Sequence, residues 1–263
     1  MGDITDATQM NDEPVNIICI RWGTRYGVHY VNNLHAGVRK HLHRPFRFVC
    51  VTDDPAGLAA GVEAVPIPDN PGIPGWPNVF LKLLITADGF ANLKGPTLFC
   101  DIDIAIIDDI DGFFTYMPGK NVIIHNWIEL HKQLFRKRPA IGNSSVFRFE
   151  AGKSQYICDT FMREKEHAIN RSIYRTEQAF LTYAMQERHW WPDTWVRSFK
   201  RHSMRPFPFN LFFPPVLPKQ TRILVFHGKP DPDEAISGYK GKRPHHHARP
   251  APWIAAYWPP DND

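Results

Sequence analysis

Asp101 and Asp103 stand two residues apart in "TLFCDIDIAIIDDID" (97–111), directly after a short apolar run. Strand side chains alternate faces with period two, so the two carboxylates share one face while Cys100, Ile102 and Ile104 point into a core. Paired carboxylates at the end of a buried strand repel each other and resist losing water. A hard divalent cation, Mn²⁺ or Mg²⁺, removes that repulsion and completes its shell with phosphate oxygens and water. The plain alternative is a strand that ends in a solvated acidic turn, and the apolar alternation through the motif weighs against it. Asp108, Asp109 and Asp111 read as turn and helix-cap residues.

Positioning such a pair requires a sheet. "VNIICIRW" (15–22) is a β-branched run that stops at the turn "GTRYG". A helical pattern follows over 28–42, then strands at 46–52 and 62–67. The Pro/Gly loop "PDNPGIPGWPN" (68–78) leads to a helix over 79–90, and the aspartate strand begins after the breaker "KGP". Strands are expected at 121–127 and 144–150, helices at 152–168 and 176–187, and a last strand at 222–228. Residues 190–220 are dense in Trp, Phe and Pro, and read as irregular chain and short strands laid over the sheet. Strand–helix–strand alternation predicts an α/β fold with partly parallel pairing. In such sheets ligands collect beyond the carboxyl ends of strands, where Asp101 and Asp103 fall.

Composition narrows the class. Hydrophobic residues make up 43% and charged residues 22% of the chain, as in a globular protein, and no stretch has the length of a membrane-spanning helix. The acidic start, "MGDITDATQMNDEPVN", is unlike a secretory signal, so the cytoplasm is the expected location. Cys19, Cys50, Cys100 and Cys158 lack CxxC spacing and read as reduced, buried thiols. The net charge of +4 is uneven: basic residues dominate from Arg197 to Arg249. That bias suits a nucleotide diphosphate, nucleic acid or acidic lipid headgroups. No helix-turn-helix, zinc or RNA-binding signature supports nucleic acid, which is set aside.

With these elements in order, "LFCDIDIAI" resembles the metal-binding D-x-D strand of GT-A glycosyltransferases, and the segment order is similar to their glycogenin-like branch. That family's first strand ends in a turn whose tyrosine stacks on the nucleotide base; Tyr26 in "RWGTRYG" matches it, with Trp22 beside it. Its helix lysine is matched by Lys82 in "NVFLKLLI". Its N-S-G-V strand is matched by Asn143 and Ser144 in "GNSSVFRF", with Ser145 departing from the pattern. Its D-Q pair is echoed by Glu177 and Gln178 in "RTEQAFL". Its closing His-x-x-Gly-x-x-Lys signature, which supplies a third metal ligand and a diphosphate-binding lysine, survives in "VFHGKP" as His227, Gly228 and Lys229 with shortened spacing. The resemblance covers roughly residues 15–235.

It implies a GT-A type fold: a Rossmann-like, mixed but mostly parallel sheet with helices on both faces, here with a C-terminal extension. Residues 1–14 would be a flexible N-terminus, 15–235 the catalytic domain and 236–263 a basic, aromatic tail. It further implies a metal-dependent glycosyltransferase acting on a nucleotide-diphosphate sugar, UDP-linked by preference, with a saccharide or lipid-linked acceptor. Asp101, Asp103 and His227 would hold Mn²⁺ or Mg²⁺, and Trp22, Tyr26, Lys82, Ser144, Gly228 and Lys229 would bind the donor. Asn143, Glu177 and Gln178 would line the reacting sugar, with retention of anomeric configuration.

Two other classes compete. A haloacid-dehalogenase-like phosphatase also uses D-x-D after a strand, but near the chain start and with Thr or Val where this chain has Ala105. A basic binding protein would need only the C-terminal third. Within that third, the run from Lys240 to Trp258 could dock peripherally on an anionic membrane. Alternatively, Trp253 and Trp258 fold back and seal the catalytic domain. "HHH" (245–247) reads as a solvated loop.

Overall fold

The run Val15–Arg21 is buried along its whole length. Its alternation feeds two cores: Ile17 and Cys19 face one layer of side chains, Ile18 and Ile20 the other. A strand apolar on both faces belongs in the middle of a sheet covered on both sides. This is the position it takes in the computed structural model, which describes residues 14–127, 140–170, 174 and 176–259. The expected N-terminal segment therefore lies, apart from Pro14, outside the described residues.

Seven strands form the main sheet: β1 (Val15–Arg21), β2 (Phe46–Thr52), β3 (Val62–Pro66), β4 (Gly95–Cys100), β6 (Asn121–His125), β7 (Gly142–Ala151) and β8 (Arg188–Trp190). Their order is β3-β2-β1-β4-β7-β6-β8. β1 runs parallel to β2 and β4, β2 to β3, and β6 to β8, whereas β7 is antiparallel to both β4 and β6. A second sheet of three strands has the order β5-β10-β9, from β5 (Ile104–Ile106), β9 (Val196–Ser198) and β10 (Ile223–Val225).

Helix α1 (Val28–His41) carries Tyr30, Val31, Leu34 and Val38 at helical spacing and packs them on one face of the main sheet. The other face is covered by α2 (Leu81–Leu84), α4 (Gln155–Ile169) and α5 (Glu177–Ala184); α3 (Gly112–Thr115) and α6 (Pro232–Ser237) are short. The helix expected over 79–90 is only the four-residue α2, followed by turns. Gly89 adopts a left-handed φ of 76° and breaks the run. All four cysteines are buried and free, as expected.

The C-terminal segment is part of the core. Trp258 is fully buried, its ring meets Tyr30 of α1 edge-on, and its Nε1 donates to Asp233 at 2.7 Å. Trp253 Nε1 donates to the Pro215 carbonyl at 3.0 Å. Of the two expectations for the tail's tryptophans, the structure shows the one in which they seal the domain.

Candidate active site

The three residues between β4 and β5 join the two sheets, and both aspartates lie in that link. Asp101 N donates to the Ser145 carbonyl of β7 at 2.8 Å, and Phe226 N, just past β10, donates to the Asp103 carbonyl at 3.2 Å. The backbone is thus held from both sheets, and the carboxylates project at the carboxyl end of β4. A cleft of about 260 Å³ opens there, lined by Arg21, Trp22, Arg25, Tyr26, Lys82, Asp101 and Asp103 among others. Five expected site residues, from three separate elements, therefore share one cavity. Arg25 was not among the expected residues; its guanidinium lies 4.8 Å from the centre of the Tyr26 ring. Arg21 is a positioning group, donating to the carbonyls of Tyr26 and Asp54 at 3.1 and 2.9 Å.

Lys82 is buried and places its ammonium 2.6 Å from Asp101 Oδ1. Burial pulls its pKa down, but Asp101 and Glu177 outweigh that and hold it above the usual lysine range. Among the described residues no cation forms an ion pair with Asp103, and Lys82 only partly pulls its pKa down. Burial, and then repulsion by Asp101, push its carboxyl up to about 8. Lys82 pairs directly with Asp101 and acts on Asp103 from farther away, and two adjacent carboxyl groups of this kind fit a hard divalent cation.

Beside them, Ser144 Oγ donates to Glu177 Oε2 at 3.0 Å, and Lys82 Nζ lies 3.4 Å from both the Ser144 carbonyl and its hydroxyl. Thr176 caps α5 by accepting from Ala179 N, which sets Glu177 on the first turn of that helix. Glu177 Oε1 is buried without a hydrogen-bond partner among the described residues, and burial raises the carboxyl to about 7. Asn143 is buried, with its Oδ1 accepting from Ser145 N at 3.0 Å. Gln178 is partly exposed beside Glu177.

No protein-family model matches the sequence, and no curated protein sequence matches it either. Solved structures do. Among them is a galactosyltransferase, LgtC, in complex with donor and acceptor sugar analogues, with a TM-score of 0.55 and 12% identity over 82% of this chain and 88% of that one. Another is an active-site mutant of LgtC with glutamine changed to glutamate, at a TM-score of 0.53 and 13% identity over 82% and 89% of the two chains. The fold is the GT-A fold.

On the GT-A frame, the closing "VFHGKP" segment departs from expectation in two places. His227 does not join the aspartates: among the described residues, its ligand atoms and theirs do not come within 4.8 Å of one another as a set. Its ring stacks on Trp127 at 5.8 Å, and its Nε2 shares a 2.6 Å hydrogen bond with Ser198 Oγ. Burial, then Lys200 and Arg201, push the imidazole down to about 4. Lys229 is engaged by Asp231 at 2.8 Å and Glu234 at 2.7 Å. Those two acids form the capping box of α6, so the shortened motif runs straight into a helix start that captures its own lysine.

Sequence reading missed the cation that does stand at this turn. Ser198 ends β9, and residues Phe199–Ser203 form a π-helical turn that carries Lys200. A methyl group added at Gly228 would lie 3.3 Å from Lys200 Nζ, and Gly228 itself has a φ of 65°. Lys200 is half-buried, and among the described residues no carboxylate comes within ion-pair distance of it. Only its position in a basic run marked it in the sequence.

His43, Asp109 and Asp111 form a group within 4.8 Å that could hold a cation. It belongs to the opposite edge of the sheet, because α1 carries the chain from the carboxyl end of β1 back to the start of β2. There His43 N and Nδ1 bond Asp111 at 2.9 and 3.0 Å. Asp111 is the N-cap residue of α3, as expected, and its carboxylate bonds His43 rather than the helix's own N–H groups.

Proposed function

We propose that the protein is a glycosyltransferase of the glycogenin-like, retaining kind, moving a sugar from a nucleotide-diphosphate sugar, UDP-linked by preference, to a saccharide or lipid-linked acceptor. The observation that carries this reading is the cleft itself. An aromatic pair, Trp22 and Tyr26, faces the Asp101–Asp103 pair and Lys82 at the carboxyl edge of a GT-A sheet. The base would stack on Tyr26 with Arg25 over it, and the diphosphate would lie toward the aspartates.

Asp101 and Asp103 would hold Mn²⁺ or Mg²⁺, which offers positive charge to the departing nucleoside diphosphate. Lys82 pairs with Asp101 at 2.6 Å and orients it toward the cleft. Lys200, rather than the captured Lys229, would supply the protein's own cation to the phosphates at Gly228, where the absence of a side chain lets an oxygen approach the backbone. Glue between the donor and acceptor halves falls to Glu177. Its Oε1 is buried with no hydrogen-bond partner among the described residues, and it would face the sugar, as nucleophile or as orienting acceptor. Asn143 and Gln178 would line the same side. The LgtC mutant places a glutamine in that enzyme's active site, and Gln178 would take such a place here.

The phosphatase alternative loses support because the sheet is that of galactosyltransferases. Incubation with UDP-sugars and Mn²⁺ tests the proposal. Slow, metal-dependent release of UDP is expected, and release of inorganic phosphate without UDP would count against it.

A further inference from the structure

Large apolar side chains are seldom left in water in a group. Here Phe207, Phe209, Phe212, Phe213 and Val216 are 56, 55, 70, 53 and 47% exposed, all within one ten-residue stretch. The stretch is not loose chain. Asn210 is buried at its centre and donates from Nδ2 to the carbonyls of Pro244 and His247 at 2.9 and 2.8 Å. Val216 N donates to the Ser203 carbonyl at 3.0 Å, and Trp253 holds Pro215 from below. Pro206, Pro208, Pro214 and Pro215 stiffen the backbone further. The polar contacts face inward and the phenyl rings outward, on a scaffold that loses little freedom when they are covered.

The surroundings are cationic. No Asp or Glu occurs between Asp193 and Asp231, nor from Ala235 to Pro260. Through Asn210, the loop is tied to the segment that exposes Lys240, Lys242, Arg243 and Arg249, with Arg205 and Lys219 exposed on the loop's own flanks. Rigid exposed phenylalanines on a loop flanked by basic side chains, in two tied segments without Asp or Glu, match a bilayer surface, where rings enter the acyl boundary and cations meet phosphate headgroups. A protein partner would have to be both apolar and uniformly acidic. No described helix is long and apolar enough to cross a membrane, so the contact would be peripheral.

We infer that the Phe207–Val216 loop is a membrane-docking element that inserts its phenylalanines into anionic lipid, with the Lys240–Arg249 segment against the headgroups. This replaces the tail tryptophans, which are committed to the core, as the apolar part of any such contact. The π-helical turn with Lys200 leads directly into the loop. If the transferase reading holds, docking would therefore bring the cleft toward an acceptor borne on lipid, but the docking itself does not depend on that reading.

Cosedimentation of the full chain with vesicles of phosphatidylcholine, with and without phosphatidylglycerol, tests it. The parent should sediment with the anionic vesicles at low salt, and less as salt rises. Phe212→Ser with Phe213→Ser should weaken that partition about tenfold at unchanged charge and unchanged thermal unfolding. Lys240→Glu with Lys242→Glu should abolish the preference for phosphatidylglycerol. Failure of the parent to sediment at low salt would overturn the inference, as would a double-serine variant that binds like the parent. So would self-association of the parent that the serine changes abolish while vesicles are ignored, since the loop would then join copies of this chain.

Discussion

Lys229 and Asp231 lie in ion-pair contact at 2.8 Å, and Glu234 closes on the same ammonium at 2.7 Å. That charge is already answered, whereas Lys200 stands near Gly228 with no carboxylate within ion-pair distance among the described residues. Lys200→Met is therefore expected to weaken UDP binding about tenfold or more while leaving uridine binding alone, and Lys200→Arg to restore part of it. Lys229→Met should change UDP affinity less than about threefold, because surface pairs contribute little. Calorimetric titration with both ligands reads the two effects, and the opposite ranking would return the diphosphate role to Lys229.

Glu177 supplies a pH signature. Its folded-state carboxyl is raised to about 7 from an ordinary 4.5, so the fold binds that proton more tightly than the unfolded chain. The stabilisation is full below about pH 4.5 and is lost as pH rises through 7. Glu177→Gln keeps an acceptor for Ser144 and cannot ionise. It should match the parent at low pH, exceed it by about 1–3 kcal/mol above pH 7, and lower transferase turnover about a hundredfold. Urea unfolding at several pH values, with turnover alongside, checks both halves.

His227 runs the other way. Its imidazole is depressed to about 4 from 6.5, chiefly by burial, so its contribution is present above pH 6.5 and lost as pH falls toward 4. His227→Phe retains an aromatic ring for Trp127 but cannot take up a proton. A flatter acid limb in its stability profile is expected, with a cost of about 1 kcal/mol at pH 8 from the lost Ser198 hydrogen bond. An acid limb identical to the parent's would show that His227 does not control it.

Trp258 distinguishes a structural tail from a dispensable one. Fully buried and bonded to Asp233, it should cost about 3–5 kcal/mol when replaced by alanine. Chemical denaturation measures this directly, and a loss below about 1 kcal/mol would contradict the packing described.

Much of this was legible in the chain, for reasons that differ by residue. The β-branched runs of β1 and β2 and the alternation through Asp101 and Asp103 record burial on defined faces, and periodicity reports burial well. Lys82, Tyr26, Ser144 and Glu177 were legible only as a series of weak matches in a fixed order. Lys200 was not: its significance arises from a π-helical turn meeting Gly228, a contact between distant segments. Arg148 was equally hidden. It is fully buried, and it donates to the carbonyls of Phe113, Tyr116, Met117 and Lys120 to close the turn after α3. The length of "HGKP" signalled a change in the closing motif, but only the structure shows the capping box that takes Lys229.

The carboxylate pair is the centre of the account. Asp103→Asn replaces a carboxyl that burial, and then Asp101, push up to about 8, so the variant should fold at least as stably as the parent. Mn²⁺-dependent binding of UDP, followed by calorimetry on parent and variant, is the most direct test. The account predicts saturable binding to the parent that requires the metal and falls at least about a hundredfold in a fully folded Asp103→Asn protein. Equal metal-dependent binding by both proteins would contradict it.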